Sequence, residues 1–220
     1  MMDKNNQEYG MAIISGGMDS VTMLYDFRET IKMIVCFNYG SKHNQKEIPF
    51  AIYHAKLLQI PFETIDLLFI NKLFKSSLLK SGGLIPDGHY EDKSMKKTVV
   101  PFRNGIMLSI AAGLAESQGL TCLFMANHAG DHAIYPDCRD TFILPMAQAI
   151  EQGTYSGIQL ISPYLTLTKR EIAVRGRELR VDYSKTWSCY KGEEFHCGTC
   201  GTCVERKEAL LGFDLTEYQQ

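Results

Sequence analysis

The sequence has no excess of positive charge. Its 220 residues carry 23 Lys and Arg against 25 Asp and Glu, a formal charge of −2. Nothing in that balance argues for duplex nucleic acid, whose phosphates call for a basic face. Long hydrophobic runs are also missing. No stretch approaches the ~20 apolar residues of a membrane span. Residues 1–10, MMDKNNQEYG, are polar and lack the apolar core of a secretion signal. A soluble, cytoplasmic protein with no direct nucleic-acid or membrane contact is expected. There is no internal repeat. Hydrophobic residues make up 45% of the chain, enough for the core of one large domain with at most a small appendage.

What the chain does have is alternation. The runs GMAIIS (10–15), IKMIVCF (31–37), PFETIDL (61–67), LTCLFMA (120–126) and IQLISP (158–163) read as strands buried on both faces. Between them the spacing predicts helices over 19–28, 47–58, 103–118, 138–152 and 168–179. Val21, Leu24 and Tyr25 share one face of the first, and Ile52, Ala55 and Leu58 recur along the second. Thr168 and Glu171 form a capping-box pattern. Strand–helix alternation implies an α/β fold, an open and mostly parallel sheet with helices on both faces. Ligands bind such sheets beyond the carboxyl ends of the strands, which puts Ser15, Phe37, Ala126 and Ser162 at one rim. The segment SGGLIPDGHYEDKSMKK (81–97) has little periodicity. It reads as a mobile loop, either a lid over a site or plain surface chain.

The first strand runs into Ser15-Gly16-Gly17-Met18-Asp19-Ser20 and then into a helix. Backbone N–H groups at a helix start, with the dipole behind them, favour an anion. The glycines permit close approach. Ser15 and Ser20 add hydroxyls, and Asp19 offers a carboxylate to magnesium. The turn lacks the lysine of the Walker pattern and the third glycine of the dinucleotide fingerprint, so neither of those loops is indicated.

Cys36, Cys122 and Cys138 are scattered and read as small core residues. Cys189, Cys197, Cys200 and Cys203 crowd together near the end. Without a secretion signal, such a cluster points to metal rather than disulfides. Four thiolates suit one tetrahedral, structural Zn2+ per chain. Gly198 and Gly201, each directly after a cysteine, are placed to turn backbone N–H groups toward sulfur. His196 is an alternative ligand. The Cys-x2-Cys-x2-Cys core also matches part of the bacterial ferredoxin run, but the next cysteine and proline are absent. The chain thus divides into a ligand-binding body, 1–185, and a metal-binding segment, 186–220, packed on it.

SGGMDS after an N-terminal strand resembles the PP-loop of the N-type ATP pyrophosphatases. These cleave ATP between its α- and β-phosphates and adenylate a substrate oxygen. Further stretches narrow the likeness: FNYGSKHNQKE, VVPFRNGIMLSIAAGLAE, NHAGDHAIYPDCRDTF, ISPYLTLTKREI and TWSCY. In this order, over nearly the whole chain, they resemble the QueC (ExsB) family of 7-cyano-7-deazaguanine synthases. The resemblance implies ATP with Mg2+, ammonia and 7-carboxy-7-deazaguanine as reactants, in the route to queuosine. It also implies a homo-oligomer, a homodimer by family analogy. The other reading is a relative that stops at the amide or acts on another base or a protein.

On that resemblance, Ser15, Gly16, Gly17, Met18, Asp19 and Ser20 hold the pyrophosphate, and the stretch Phe37 to Gly40, with Tyr39, seats adenine. Arg103 is a candidate clamp on phosphate or carboxylate, or else a helix-start ion pair. Lys169 is a candidate for the α-phosphate, or else a solvated first-turn lysine. Asp131 and Asp137 are candidates for the guanine-like edge, because a carboxylate accepts from a ring N–H and an exocyclic amine together. Either could instead bind magnesium or cap the helix that follows. His128 and His132 flank Asp131 and could assist proton transfer with ammonia.

Overall fold

The computed structural model describes residues 9–219; most of the polar opening stretch, 1–8, and Gln220 lie outside them. The described strands are β1 (Gly10–Ile13), β2 (Ile31–Asn38), β3 (Phe62–Asp66), β4 (Cys122–Phe124) and β5 (Gln159–Ile161). They form one parallel sheet in the order β3-β2-β1-β4-β5. Each expected strand is present, mostly with shorter ends. Ile14, for example, lies past β1, although its N–H still donates to Val35 O at 2.9 Å.

Side chains of the central strands alternate between two cores, as a period of two requires. Met11, Val35 and Leu123 face one core, built with Leu108 and Ala111 of α4 (Arg103–Ser117) and Ile143 of α5 (Asp140–Gly153). Ala12, Ile34 and Phe124 face the other, with Leu24 of α1 (Met18–Asp26), Ala55 of α2 (Asn44–Leu57) and Ile172 of α6 (Lys169–Glu178). Burial on both faces explains why β1 reads as a continuous apolar run. The capping box of α6 is formed: Thr168 N–H donates to Glu171 Oε2 at 2.7 Å.

Two helices were not legible in the periodicity, α3 (Phe69–Leu73) and α7 (Gly201–Ala209). The first is too short to show a period. The second begins inside the cysteine cluster, whose spacing masks it. α2 starts at Asn44, earlier than the apolar spacing suggests. The Asn44 side chain sets that start, accepting from the N–H groups of Tyr39 at 3.2 Å and Ser41 at 3.0 Å.

Residues 81–97 are held more firmly than their composition suggests. Ile85 and Met95 are buried. Asp87 Oδ1 accepts from Thr199 Oγ1 at 2.6 Å and pairs with Lys191 Nζ at 2.8 Å. These anchors sit on other segments, so nothing along 81–97 announces them.

Candidate active site

The strand order reverses at β1, with β2 on one side and β4 on the other. A cleft opens there beyond the carboxyl ends, the place where open α/β sheets take ligands. Its empty space is about 1150 Å3 with the open mouth included.

The turn after β1 forms the floor. Gly16 has φ +97°, and a Cβ there would lie 2.1 Å from the Glu47 carbonyl oxygen, so no other residue fits. Ser15 Oγ accepts from Gly17 N–H at 3.1 Å, and Ser20 Oγ donates to Gly17 O at 3.1 Å. These bonds fix the loop from within. Gly17 is the N-cap of α1 and supplies no side-chain acceptor, so the first-turn N–H groups stay open for an anion.

A charged cluster stands beside this helix start. Lys169 Nζ lies 3.0 Å from Asp19 Oδ2 and 2.9 Å from Glu205 Oε2. Burial alone would push Lys169 down; Asp19, Glu205 and Asp131 outweigh it and hold the ammonium above its ordinary range. Burial likewise favours a neutral Asp19, yet Lys169 and His128 keep its carboxyl below the usual carboxylate range. Glu205 is raised by burial, which Lys169 opposes only in part. The lysine is therefore a buried cation with its charge shared, not a solvated first-turn residue. His128 Nδ1 accepts from Gly130 N–H at 3.1 Å, which assigns the ring hydrogen to Nε2. That nitrogen sits 3.6 Å from Asp131 Oδ2 and 3.8 Å from Asp19 Oδ2. Asp19 Oδ1 is buried without a hydrogen-bond partner. It is a free hard-oxygen donor beside the glycine turn, and so fits a magnesium ion.

On the β2 side, Phe37 and Tyr39 line the cleft. Arg103, at the start of α4, donates from Nη1 to Tyr39 Oη at 3.1 Å and from Nη2 to Asn104 Oδ1 at 3.3 Å. Among the described residues it forms no ion pair, so its charge remains available to a ligand. Burial would lower it; Tyr39, Asp137 and Cys138 hold it up. Glu47 and His43 complete this wall, with Oε2 and Nε2 3.5 Å apart. Burial pushes the Glu47 carboxyl up to about 8, and burial with Arg103 drives His43 down to about 3.

The metal segment closes the remaining side. The Sγ atoms of Cys189, Cys197, Cys200 and Cys203 all lie within 4.8 Å of one another, and all four residues are buried. Thiolates ~2.3 Å from a single tetrahedral ion are about 3.8 Å apart, so the cluster fits one ion, consistent with zinc. The backbone donors to sulfur differ from the expected ones. Thr199 and Cys200 N–H groups reach Cys197 Sγ at 3.5 and 3.3 Å, and Cys197 N–H reaches Cys189 Sγ at 3.4 Å. Gly198 instead supplies the turn, at φ +73°. His196 is turned away: its Nε2 accepts from Ser188 N–H at 3.1 Å, and its ring lies 4.2 Å from that of Trp187. Trp187 N–H in turn donates to Gly16 O at 3.0 Å, so the segment is tied directly to the glycine turn.

Of the residues singled out from sequence, Ser15, Gly17, Met18, Asp19 and Ser20 line the cleft, as do Phe37, Tyr39, Arg103, Asp131 and Lys169. Gly16, Gly40 and Asp137 do not line it. Asp137 Oδ2 accepts from Asn104 N–H at 2.8 Å and so satisfies the start of α4, not of the helix that follows it in the chain. Ser162 also stands back from the cleft, with its Oγ buried and unpartnered. Cys36 and Cys138 line the cleft besides being buried. Glu47, Asn127, Trp187, Tyr190 and Glu205 are cleft residues that sequence reasoning missed. Of these, Glu47, Asn127, Trp187 and Tyr190 had a signal, their place in the FNYGSKHNQKE, NHAGDHAIYPDCRDTF and TWSCY stretches, and Glu205 had none.

A model of the family described as "Queuosine biosynthesis protein QueC" matches residues 10–214. The chain belongs to the QueC family. It is 56% identical to the 7-cyano-7-deazaguanine synthase of Porphyromonas gingivalis over 95% of this chain and 96% of that one. The family member from Desulfotalea psychrophila, of the same name, is 48% identical over 94% of this chain and 96% of its own length. The QueC relative from Rhizobium rhizogenes is 44% identical, over 95% and 91%. Among solved structures, one titled as the NMN synthetase of Francisella tularensis aligns with a TM-score of 0.49 at 13% identity, over 85% of this chain and 68% of that one. Among the described residues no helix is long and apolar enough to cross a membrane.

Proposed function

We propose that the cleft makes 7-cyano-7-deazaguanine from 7-carboxy-7-deazaguanine, ammonia and ATP, by two successive adenylations. The carboxylate oxygen attacks the α-phosphorus of ATP, the α–β bridge breaks and pyrophosphate leaves. Ammonia adds to the acyl carbon, loses a proton, and AMP departs. The amide oxygen then attacks the α-phosphorus of a second ATP, and a second pyrophosphate leaves. Loss of two protons from nitrogen and of AMP from carbon leaves the nitrile.

The residues divide this work by position. The uncapped start of α1, with Ser15, Gly16, Gly17, Met18 and Ser20, binds the departing pyrophosphate. Phe37, Tyr39 and Gly40 border the adenine. Asp19 would hold magnesium through Oδ1, and the ion supplies charge neutralisation on phosphate oxygens when bound. Lys169 carries the positive charge nearest that carboxylate and meets the developing charge at the α-phosphate. Arg103, with no carboxylate of its own, takes the anionic group of the substrate. Asp131 faces the cleft beyond β4 and reads the guanine-like edge. Asp137 acts behind it by fixing the start of α4.

Cys189, Cys197, Cys200 and Cys203 hold one structural zinc. Residues 186–220 act as a metal-fixed wall on the ATP-binding body 1–185. A cytoplasmic homodimer is the setting the family resemblance implies.

The observation that carries this reading is the meeting of Asp19 and Lys169 at 3.0 Å beside an uncapped helix start, in a member of the QueC family. The test is the nucleotide product. AMP and pyrophosphate are expected, with a base product lighter than its amide by one water. ADP and orthophosphate would overturn the adenylation chemistry.

A further inference from the structure

Asn127 lies three residues past the end of β4 and is only 2% exposed. Its Nδ2 donates to Cys138 O at 2.9 Å. That bond fixes which way the amide faces, because a flipped amide would set two carbonyl oxygens against each other. Oδ1 is thereby left buried and without a hydrogen-bond partner among the described residues, on a residue that lines the cleft. A buried carbonyl left unpaired is costly, so such an atom in a cleft is a place built for a donor.

The donor's chemistry follows from what the amide oxygen can accept. It repels carboxylate and phosphate oxygens, and it takes N–H or O–H. Its position decides among the N–H groups that enter. β4 and β2 flank β1 on opposite sides, so Asn127 stands across the pyrophosphate loop from Phe37 and Tyr39. Adenine is bordered on that far side, and the second ligand on this one. The amide is also immobilised by Cys138 O, which suits the fixed in-plane N–H of a rigid heterocycle better than freely turning ammonia.

We propose that Asn127 Oδ1 accepts a hydrogen bond from a ring or exocyclic N–H of the deazapurine substrate and sets specificity for it. This rests on the function proposed above. A site that reads an N–H in this way strongly rejects analogues that lack it.

The experiment is steady-state kinetics of Asn127→Ala with each reactant varied in turn, together with analogues of the carboxylated base N-methylated at one nitrogen each. Expected is a roughly ten- to hundredfold rise in KM for the base, with kcat within about threefold and the KM values for ammonium and ATP within about twofold. In the native protein, one of the analogues should bind at least about tenfold more weakly than the parent base, and Asn127→Ala should not discriminate against it. An unchanged KM for the base, or a rise confined to ammonium, overturns the assignment. So does equal binding of every analogue by the native protein, a result that does not depend on how the variant folds. Failure of the native protein to release AMP with the parent base would instead overturn the functional reading, and this assignment with it.

Discussion

Glu205 Oε2 accepts from Lys169 Nζ at 2.9 Å, joining the helix of the metal segment to the helix that follows β5. The same ammonium reaches Asp19 in the glycine turn. One cation thus neutralises acids from two separate segments.

Removing that cation should be felt twice. Lys169→Met leaves Asp19 and Glu205 buried without their partner, and breaking a buried pair costs about 3–5 kcal/mol. Urea unfolding should show a loss of that order. AMP release should fall at least ~100-fold, the scale of losing one preformed electrostatic contact to a transition state. A variant with near-native turnover would remove Lys169 from the chemistry.

Glu47 and His43 give stability a predictable pH dependence. Glu47 is raised from 4.5 to about 8, so the folded state holds a proton that the unfolded state has lost, and stability falls as pH rises between those values. His43 is lowered from 6.5 to about 3, so its contribution rises with pH over that window. The two oppose each other up to pH 6.5, and above it Glu47 acts alone. Native stability relative to Glu47→Gln should therefore drop by about 1.4 kcal/mol per pH unit between pH 6.5 and 8. Parallel stability curves for the two proteins would refute the buried protonated carboxyl.

The chain has a single tryptophan, and it reports on the metal segment. Trp187 is 5% exposed, and its Nε1 donates to Cys189 O at 2.7 Å. Metal removal should loosen that carbonyl and shift the emission of Trp187 to the red. The Gly16 contact should be lost with it, and ATP binding should weaken. Cys200→Ser should reproduce all three changes with less than one metal ion per chain by elemental analysis. Emission and ATP affinity that survive chelation would separate the metal site from the cleft.

Gly16→Ala tests the glycine turn by shape alone. The backbone is left-handed at that position, and the added methyl collides with the Glu47 carbonyl. The left-handed conformation by itself costs an alanine about 1–2 kcal/mol, and the collision adds to it. A lower melting temperature and a raised KM for ATP are expected together. Gly113 has nothing within 4 Å of its Cβ position, so Gly113→Ala should be tolerated.

The parts of the site that were legible in the sequence are those whose signal is local. Ser15 to Ser20 are contiguous, the cysteines are dense, and strands buried on both faces spell themselves as apolar runs. Thr168 and Glu171 lie within one helical turn, so their cap could be read directly. Glu205 had no such signal, because its partner Lys169 lies far away in sequence. Asp131 and Asp137 looked equivalent until the fold turned one into the cleft and the other onto Asn104. The anchors of 81–97 were hidden for the same reason, since Lys191 and Thr199 belong to another segment.

The bond from Trp187 N–H to Gly16 O also bears on the order of assembly. The glycine turn leaves the ribosome well before residues 187 and 205, which complete its surroundings. Such long-range closures form late, because loop entropy must be overcome before they contribute. A partly synthesised chain therefore carries the glycine turn without its cleft. The cleft is complete only once those residues have been made and the thiolates have gathered.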